Sequence, residues 1–288
     1  MENSIARRET IKKILLSGLS LPLMIDQEDI MLNGKIKHSV CKWCYNSIPL
    51  DEFAGAIKKI GIAAIDLISL DQFPVLKKHN IPCSMVSISS QEWGITKGWN
   101  RTEHHQGLIK WYKYLIDETA KAGYKNIICF SGNREEGLDD EIGLENCAEG
   151  LSKIIGYAKQ KKITLVMELL NSKIDHKNYM CDSTDWGVEL CRMVDSENFK
   201  LLFDIYHMQI MEGDIIRTIN ENHKFFGHYH TGGVPGRAEI DETQELNYPA
   251  IMRAIAATGF QGFVGQEFIP KNPDKIGSLT KAITLCDI

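Results

Sequence analysis

The sequence predicts a single (β/α)8 TIM barrel of the α/β class, and three observations carry that prediction. Eight short β-branched runs follow one another between residues 38 and 268, longer helical patterns separate them, and the alternation fills the roughly 250 residues such a barrel needs. No glycine-rich nucleotide turn follows the first strand, which argues against a doubly wound sheet.

The strands read in order as HSVCKW at 38–43, AAIDLIS at 63–69, CSMVSIS at 83–89, NIICFSG at 126–132, TLVMELL at 164–170, LLFDIYH at 201–207, FGHYHT at 226–231 and GFVGQEF at 262–268. Among the helices between them, PLDEFAGAIKKIG closes on Gly61, GLIKWYKYLIDETAKAG on Gly123 and NYPAIMRAIAATG on Gly259, where a helix C-terminus favours glycine. LENCAEGLSKIIGYAKQKK supplies another helix before the fifth strand. The long segments SQEWGITKGWNRTEHHQ, SGNREEGLDDE and TGGVPGRAEIDETQE leave the carboxyl ends of strands 3, 4 and 7, the face that carries the active site in barrel enzymes. No linker or repeat divides residues 35–288, which are expected to form one domain.

Residues 1–34 stand apart from this pattern. Arg7-Arg8 and Lys12-Lys13 precede an apolar stretch from Ile14 to Ile25, which reads as a twin-arginine-like signal for export to the periplasm. Thr10 stands where an aromatic residue is usual and no small-x-small cleavage site follows, so an amphipathic leader helix on a cytoplasmic protein is the alternative.

A net charge of −5 with interspersed signs leaves no positive field for a polyanion, which excludes nucleic acid as a partner. After the N-terminal segment no apolar run approaches the roughly 18 residues of a membrane span. The eight cysteines are scattered and read as small buried apolar residues. Cys41 and Cys44 form a CxxC without a second pair, and core packing is the expected role there too, ahead of metal or redox chemistry.

Strands 5 to 8 each carry a polar residue near the carboxyl end: Glu168, Asp204, His230 and Glu267. Buried carboxylates are costly alone, so several converging on one mouth imply a divalent cation; separate pairing with Arg or Lys is the competing reading. Three carboxylates and one imidazole favour Mn²⁺ or Mg²⁺ and tolerate Co²⁺ or Zn²⁺. By strand alternation His228 lies one layer below His230 and is expected to support it.

His207, just past the sixth strand, is expected to meet a substrate oxygen, and Arg237 a substrate carboxylate or hydroxyl, with Glu239 positioning Arg237. Asp66 either reaches the same pocket or pairs in the core. Trp93 and Trp99 are candidates to stack on a sugar face, and one of His104 and His105 to face the pocket. Trp99 and His105 join His207 and Arg237 as the expected substrate-binding set. Gly232-Gly233 is a candidate phosphate cradle, because barrel phosphate sites use the loops after strands 7 and 8.

FDIYHMQIMEGD, VMELLNSK, HTGGVPGR, ELNYPAIMRAI and GFVGQEFIP together resemble the hydroxypyruvate isomerase family, a branch of the xylose isomerase-like barrels that includes ketose 3-epimerases. The similarity runs from about residue 38 to the C-terminus. It implies a metal held by Glu168, Asp204, His230 and Glu267, with the two glutamates as acid and base. The implied reaction interconverts hydroxypyruvate and tartronate semialdehyde through an enediolate. Bacterial hydroxypyruvate isomerases carry glutamine at the strand-7 position, whereas His230 looks like the ketose epimerases, so 3-epimerisation of a ketose or keto-sugar is the alternative. A noncatalytic sugar-binding protein is the alternative of another class. The resemblance also implies a homo-oligomer.

Overall fold

The structure is a computed structural model that describes residues 32–288, so the segment read as an export signal or leader lies outside the described residues. Eight parallel strands close into a barrel in chain order: β1 (Lys37–Cys41), β2 (Ala64–Ile68), β3 (Cys83–Val86), β4 (Asn126–Cys129), β5 (Thr164–Glu168), β6 (Phe199–Asp204), β7 (Phe226–Thr231) and β8 (Phe263–Gln266). Closure comes from β8 pairing with β1, His38 beside Val264.

Around the barrel run α1 (Leu50–Lys59), α2 (Phe73–His79), α3 (His105–Ala122), α4 (Asp140–Lys161), α5 (Thr184–Val194), α6 (Ile205–Met211), α7 (Ile215–Asn222), α8 (Tyr248–Ala257) and α9 (Lys275–Cys286). Their ends follow local chemistry. Asp139 and Ser183 accept the backbone N–H of Ile142 and Trp186 at the starts of α4 and α5, and Asp51, Glu52, Lys58 and Lys59 complement the dipole of α1. Gly123 takes a left-handed φ of +82° to close α3.

Each helix turns an apolar stripe onto the strands: Phe53 and Ile57 from α1, Leu108, Tyr112 and Leu115 from α3, Leu151, Ile154 and Ala158 from α4 are buried. Strand residues are buried on both faces, as a parallel barrel requires, so β5 reads Leu165, Val166, Met167 without alternation. No described helix is long and apolar enough to cross a membrane. All eight cysteines are buried and unpaired.

Several strands stop before the expected residue, and the reasons are local. β6 ends at Asp204 because that side chain turns back: its Oδ1 accepts the backbone N–H of Tyr206 at 2.8 Å and of His207 at 3.3 Å, which starts α6. β1 ends at Cys41, where Lys42–Tyr45 wind into a 3₁₀ turn that carries Trp43 over the mouth. In β2 the register to β3 slips around Leu67, whose φ of +59° marks a bulge next to Asp66.

Candidate functional site

Adjacent registers set the geometry: Asp204 pairs with His230 across β6 and β7, and His230 with Gly265 across β7 and β8. Glu168 ends β5 and Glu267 follows β8, so four side chains converge at the carboxyl end of the barrel. One ligand atom from each of Glu168, Asp204, His230 and Glu267 lies within 4.8 Å of the others, and all four residues are buried. His230 Nδ1 is 2.8 Å from Glu267 Oε2 and 3.5 Å from Glu168 Oε1, yet makes no hydrogen bond of good geometry among the described residues. A buried nitrogen without a hydrogen bond, facing three carboxylates, fits a divalent cation.

A cationic side chain and an indole donor hold these carboxylates. Arg237 Nη2 donates to Asp204 Oδ2 at 3.1 Å and to Glu267 Oε2 at 2.5 Å. Its guanidinium lies 5.3 Å from the Trp43 ring and 5.1 Å from the Tyr206 ring. The residue holds a left-handed φ of +54°, a strained conformation for a non-glycine that is fixed by bonds from its N–H to Gly233 O and from Ile269 N–H to its own carbonyl. Trp43 Nε1 donates to Glu267 Oε1 at 2.6 Å, so both oxygens of that carboxylate are held.

Burial pushes the Asp204 carboxyl up to about 8, with Arg237 pulling against it and Glu267 adding to the rise. Burial would raise Glu267 as well, but Arg237 and His230 outweigh it and hold that carboxyl well below its usual range. The His230 imidazole is desolvated, which disfavours its charge; Cys41, Glu267 and Asp66 outweigh this and hold it well above its ordinary value.

Behind His230 sits a second, self-contained cluster. Asp66 Oδ2 lies 2.6 Å from His228 Nε2 and 3.1 Å from His230 Nε2, and Ser84 Oγ donates to Asp66 Oδ1. Cys41 Sγ is 3.5 Å from His230 Nε2. Asp66 is thus a paired core aspartate, and His228 supports from the deeper layer. Gly265 makes the room: a Cβ there would approach His230 Cδ2 to 2.8 Å and collide with Asp66.

His207 and Arg237 reach this site. His207 is fully buried with Nε2 3.6 Å from Asp204 Oδ2. Trp99 and His105 do not reach it. Both pack on the outer side of the barrel, where His105 Nε2 meets Trp99 O at 3.0 Å and both rings fill the groove left by Gly150 of α4. His104 bonds to Gly98 O, and Trp93 packs on it and on Gly107, so this loop forms its own small core.

Glu239 turns away from Arg237 and accepts the N–H groups of Lys271 and Asn272 and the hydroxyl of Ser278. The Gly232 and Gly233 N–H groups donate to Tyr248 OH and Ala238 O, which leaves no phosphate cradle. The sequence reading missed Trp43, whose signal is an aromatic just past the end of β1. It also missed Asn171, Asp175 and His176, polar residues just past β5.

The cavity over the cluster measures about 580 Å³ and is lined by Trp43, Ile174, His176, Tyr206, Ile210 and Arg237 among others. A larger depression of about 820 Å³ lies between residues 239–247 and α9; the four converging residues line neither cavity, but Trp43 and Arg237 of the mouth cavity bond directly to Glu267 and Asp204, a link the larger depression lacks. The chemistry therefore belongs to the mouth.

The profile of the xylose isomerase-like TIM barrel family matches residues 49–282. The chain is similar to a human putative hydroxypyruvate isomerase, 32% identical over 123 residues, which are 43% of this chain and 44% of that one. It is also similar to 2-oxo-tetronate isomerase of Cupriavidus necator, 33% identical over 43% of this chain and 46% of that one. The matched stretch thus spans under half the length of these two relatives. Hydroxypyruvate isomerase of Escherichia coli matches more widely, 29% identical over 69% of this chain and 74% of its own. Among solved structures, an AP endonuclease of family 2 from Brucella melitensis superposes with a TM-score of 0.75 at 24% identity, covering 85% of this chain and 97% of that one. The 3-keto-D-glucoside 4-epimerase of E. coli gives 0.72 at 16% identity, covering 87% and 98%. At these identities the structural likeness is one of fold.

Proposed function

The chain belongs to the xylose isomerase-like TIM barrel family, and on that premise we propose that it is a metal-dependent isomerase acting on a small α-hydroxy carbonyl compound. The observation that carries this reading is the convergence of Glu168, Asp204, His230 and Glu267 with a buried imidazole nitrogen that makes no hydrogen bond. Those four residues would hold the cation, Mn²⁺ or Mg²⁺ by their oxygen-rich chemistry, with Co²⁺ or Zn²⁺ compatible with the imidazole. Bound there, the cation supplies electrostatic stabilisation for negative charge developing on two adjacent substrate oxygens.

The protein's own groups handle the protons. Arg237 and Trp43 fix the orientation of the Glu267 carboxylate, which takes the proton from the carbon bearing the hydroxyl, leaving an enediolate. Glu168, entering from β5, delivers a proton taken up from solvent to the neighbouring carbon while the hydroxyl proton passes to the former carbonyl oxygen, and Glu267 releases its proton to solvent, which completes isomerisation. Return to the opposite face of the same carbon gives epimerisation. Trp43, Tyr206 and Arg237 wall the mouth beside the carboxylates.

The relatives' names support hydroxypyruvate and its conversion to tartronate semialdehyde as the finer reading. A second reading, 3-epimerisation of a neutral ketose or keto-sugar, draws on the charge of the mouth. Glu168, Asp204 and Glu267 are joined there by Asp175, whereas Arg237 is the one Lys or Arg lining the cavity among the described residues and is already engaged by Asp204 and Glu267. A substrate without a carboxylate meets less repulsion.

Incubating metal-loaded protein in D₂O with hydroxypyruvate and with a panel of ketoses tests the proposal. Deuterium entering the carbon next to the carbonyl of either class is the expected result, and the class that exchanges names the substrate. Binding without exchange in every case would identify a noncatalytic sugar-binding protein and overturn the proposal.

A further inference from the structure

We infer that Asn171 fixes His207 as a neutral imidazole with its proton on Nε2, so that His207 serves the reaction as a stationary hydrogen-bond donor to a substrate oxygen and never as a proton carrier. The inference rests on the functional reading above for its chemistry, but its geometry stands alone.

Asn171 lies just past β5, and its amide orientation is settled by three bonds. Its Oδ1 accepts the backbone N–H of Ile174 at 3.0 Å and of Asp175 at 2.9 Å, and its Nδ2 donates to Asp175 Oδ2 at 2.7 Å. The remaining proton of Nδ2 faces His207 Nδ1 at 2.6 Å. An amide nitrogen cannot accept, so Nδ1 has to. The Asn171 backbone N–H converges on the same atom at 3.2 Å. With two donors on Nδ1, the ring proton has one place left, Nε2.

That Nε2 is buried and has no hydrogen-bond partner among the described residues; Asp204 Oδ2 is 3.6 Å away. A buried donor without a partner is costly, and it persists where a ligand completes it. With Nδ1 occupied as an acceptor of two N–H groups, the ring carries a single proton and is neutral. A neutral imidazole N–H can stabilise charge growing on an enediolate oxygen without handing over its proton, which keeps proton traffic on Glu168 and Glu267. Asn171 is thus a positioning residue, acting through His207.

The test reads the tautomer directly. Full-length protein labelled with ¹⁵N-histidine, metal-free and loaded with diamagnetic Mg²⁺, is examined by long-range ¹⁵N–¹H correlation, with His207 assigned by its loss in His207→Gln. The expected spectrum shows a protonated Nε2 and a bare Nδ1. Asn171→Asp places an acceptor against Nδ1 and should move the proton there, lowering kcat about 10²-fold, the usual loss of one transition-state donor, with metal affinity unchanged. Asn171→Asp combined with Asp175→Asn keeps the side-chain pair with its polarity reversed, and should give the same spectrum should the single variant fold poorly. A protonated Nδ1 or a doubly protonated ring in the unmodified protein overturns the inference. So does a variant that moves the proton and leaves kcat intact. Absence of deuterium exchange with any substrate would sink the functional reading, while the spectrum would still decide the tautomer.

Discussion

Asp66 stands directly behind His230: its Oδ2 lies 3.1 Å from the ring's Nε2, while Nδ1 on the other side faces Glu267 Oε2 at 2.8 Å. A carboxylate on the far nitrogen sets which nitrogen faces the site and raises its basicity. Asp66→Asn should therefore weaken divalent-metal affinity about 10- to 100-fold while the barrel still folds. Competition with a chromophoric chelator measures this, and an unchanged affinity would remove Asp66 from the metal's support.

Asp204 has two separable duties, one per oxygen. Oδ1 caps α6 and Oδ2 faces Arg237 and the site. Asp204→Asn keeps an acceptor for the cap, so metal-free thermal stability should stay close to that of the parent while metal-induced stabilisation disappears. Asp204→Ala should lose a further ~1 kcal/mol for the missing cap. Melting curves with and without Mn²⁺ separate the two, and a metal-dependent rise in Tm for either variant would contradict the assignment.

Glu168→Gln and Glu267→Gln each remove one proton-handling group. Positioned acid or base catalysis contributes roughly 10²- to 10⁴-fold, so turnover should fall by at least the lower figure in each. Near-normal deuterium exchange in either variant would show that its carboxylate moves no proton.

Trp43 holds the Oε1 of Glu267 at 2.6 Å. Trp43→Phe keeps an aromatic surface beside Arg237 and loses that bond. Hydrogen bonds to charged groups contribute about 1.5–3 kcal/mol, so kcat/KM should drop about tenfold or more. Steady-state kinetics with the exchanging substrate decides, and a loss confined to KM would assign Trp43 to binding alone.

The metal-free protein should lose stability as pH rises from about 6.5 to 8. Asp204, pushed up to about 8 by burial, and His230, held high by Cys41, Glu267 and Asp66 against burial, both keep protons in the folded chain that the unfolded chain has begun to release or has already released. Groups raised on folding contribute stability that fades as pH climbs through the folded value. Below that window the buried neutral His38, pushed down to about 4, acts in the opposite direction. A cation must displace the retained protons, so apparent metal affinity should rise over the same window. Denaturant melts and titration calorimetry at both ends of it test the sign; stability that rises with pH would refute it.

The barrel and its four converging residues were legible because strand periodicity and strand order suffice to place them. Glu168, Asp204, His230 and Glu267 sit at or beside strand ends, and in a closed parallel barrel every such end opens on one mouth. Loop residues were another matter. Trp99 and His105 lie inside the barrel's outer packing because Gly150 of a distant helix leaves a groove for their rings, a contact no local pattern announces. Glu239 is claimed by N–H groups at Lys271 and Asn272, more than thirty residues away. Asn171 was overlooked because its partners are mainly backbone groups of its own loop and a ring nitrogen on α6. Trp43 was hidden in the middle of a CxxC whose cysteines drew the attention.

Gly265 bears on how this mouth could be redesigned. Any side chain at that position would strike His230 and Asp66 at once. Schemes to reshape the cavity for bulkier substrates therefore have to treat the β7–β8 seam as a fixed wall and change side chains on the rest of the rim, such as Ile174 and Ile210, whose side chains line the cavity.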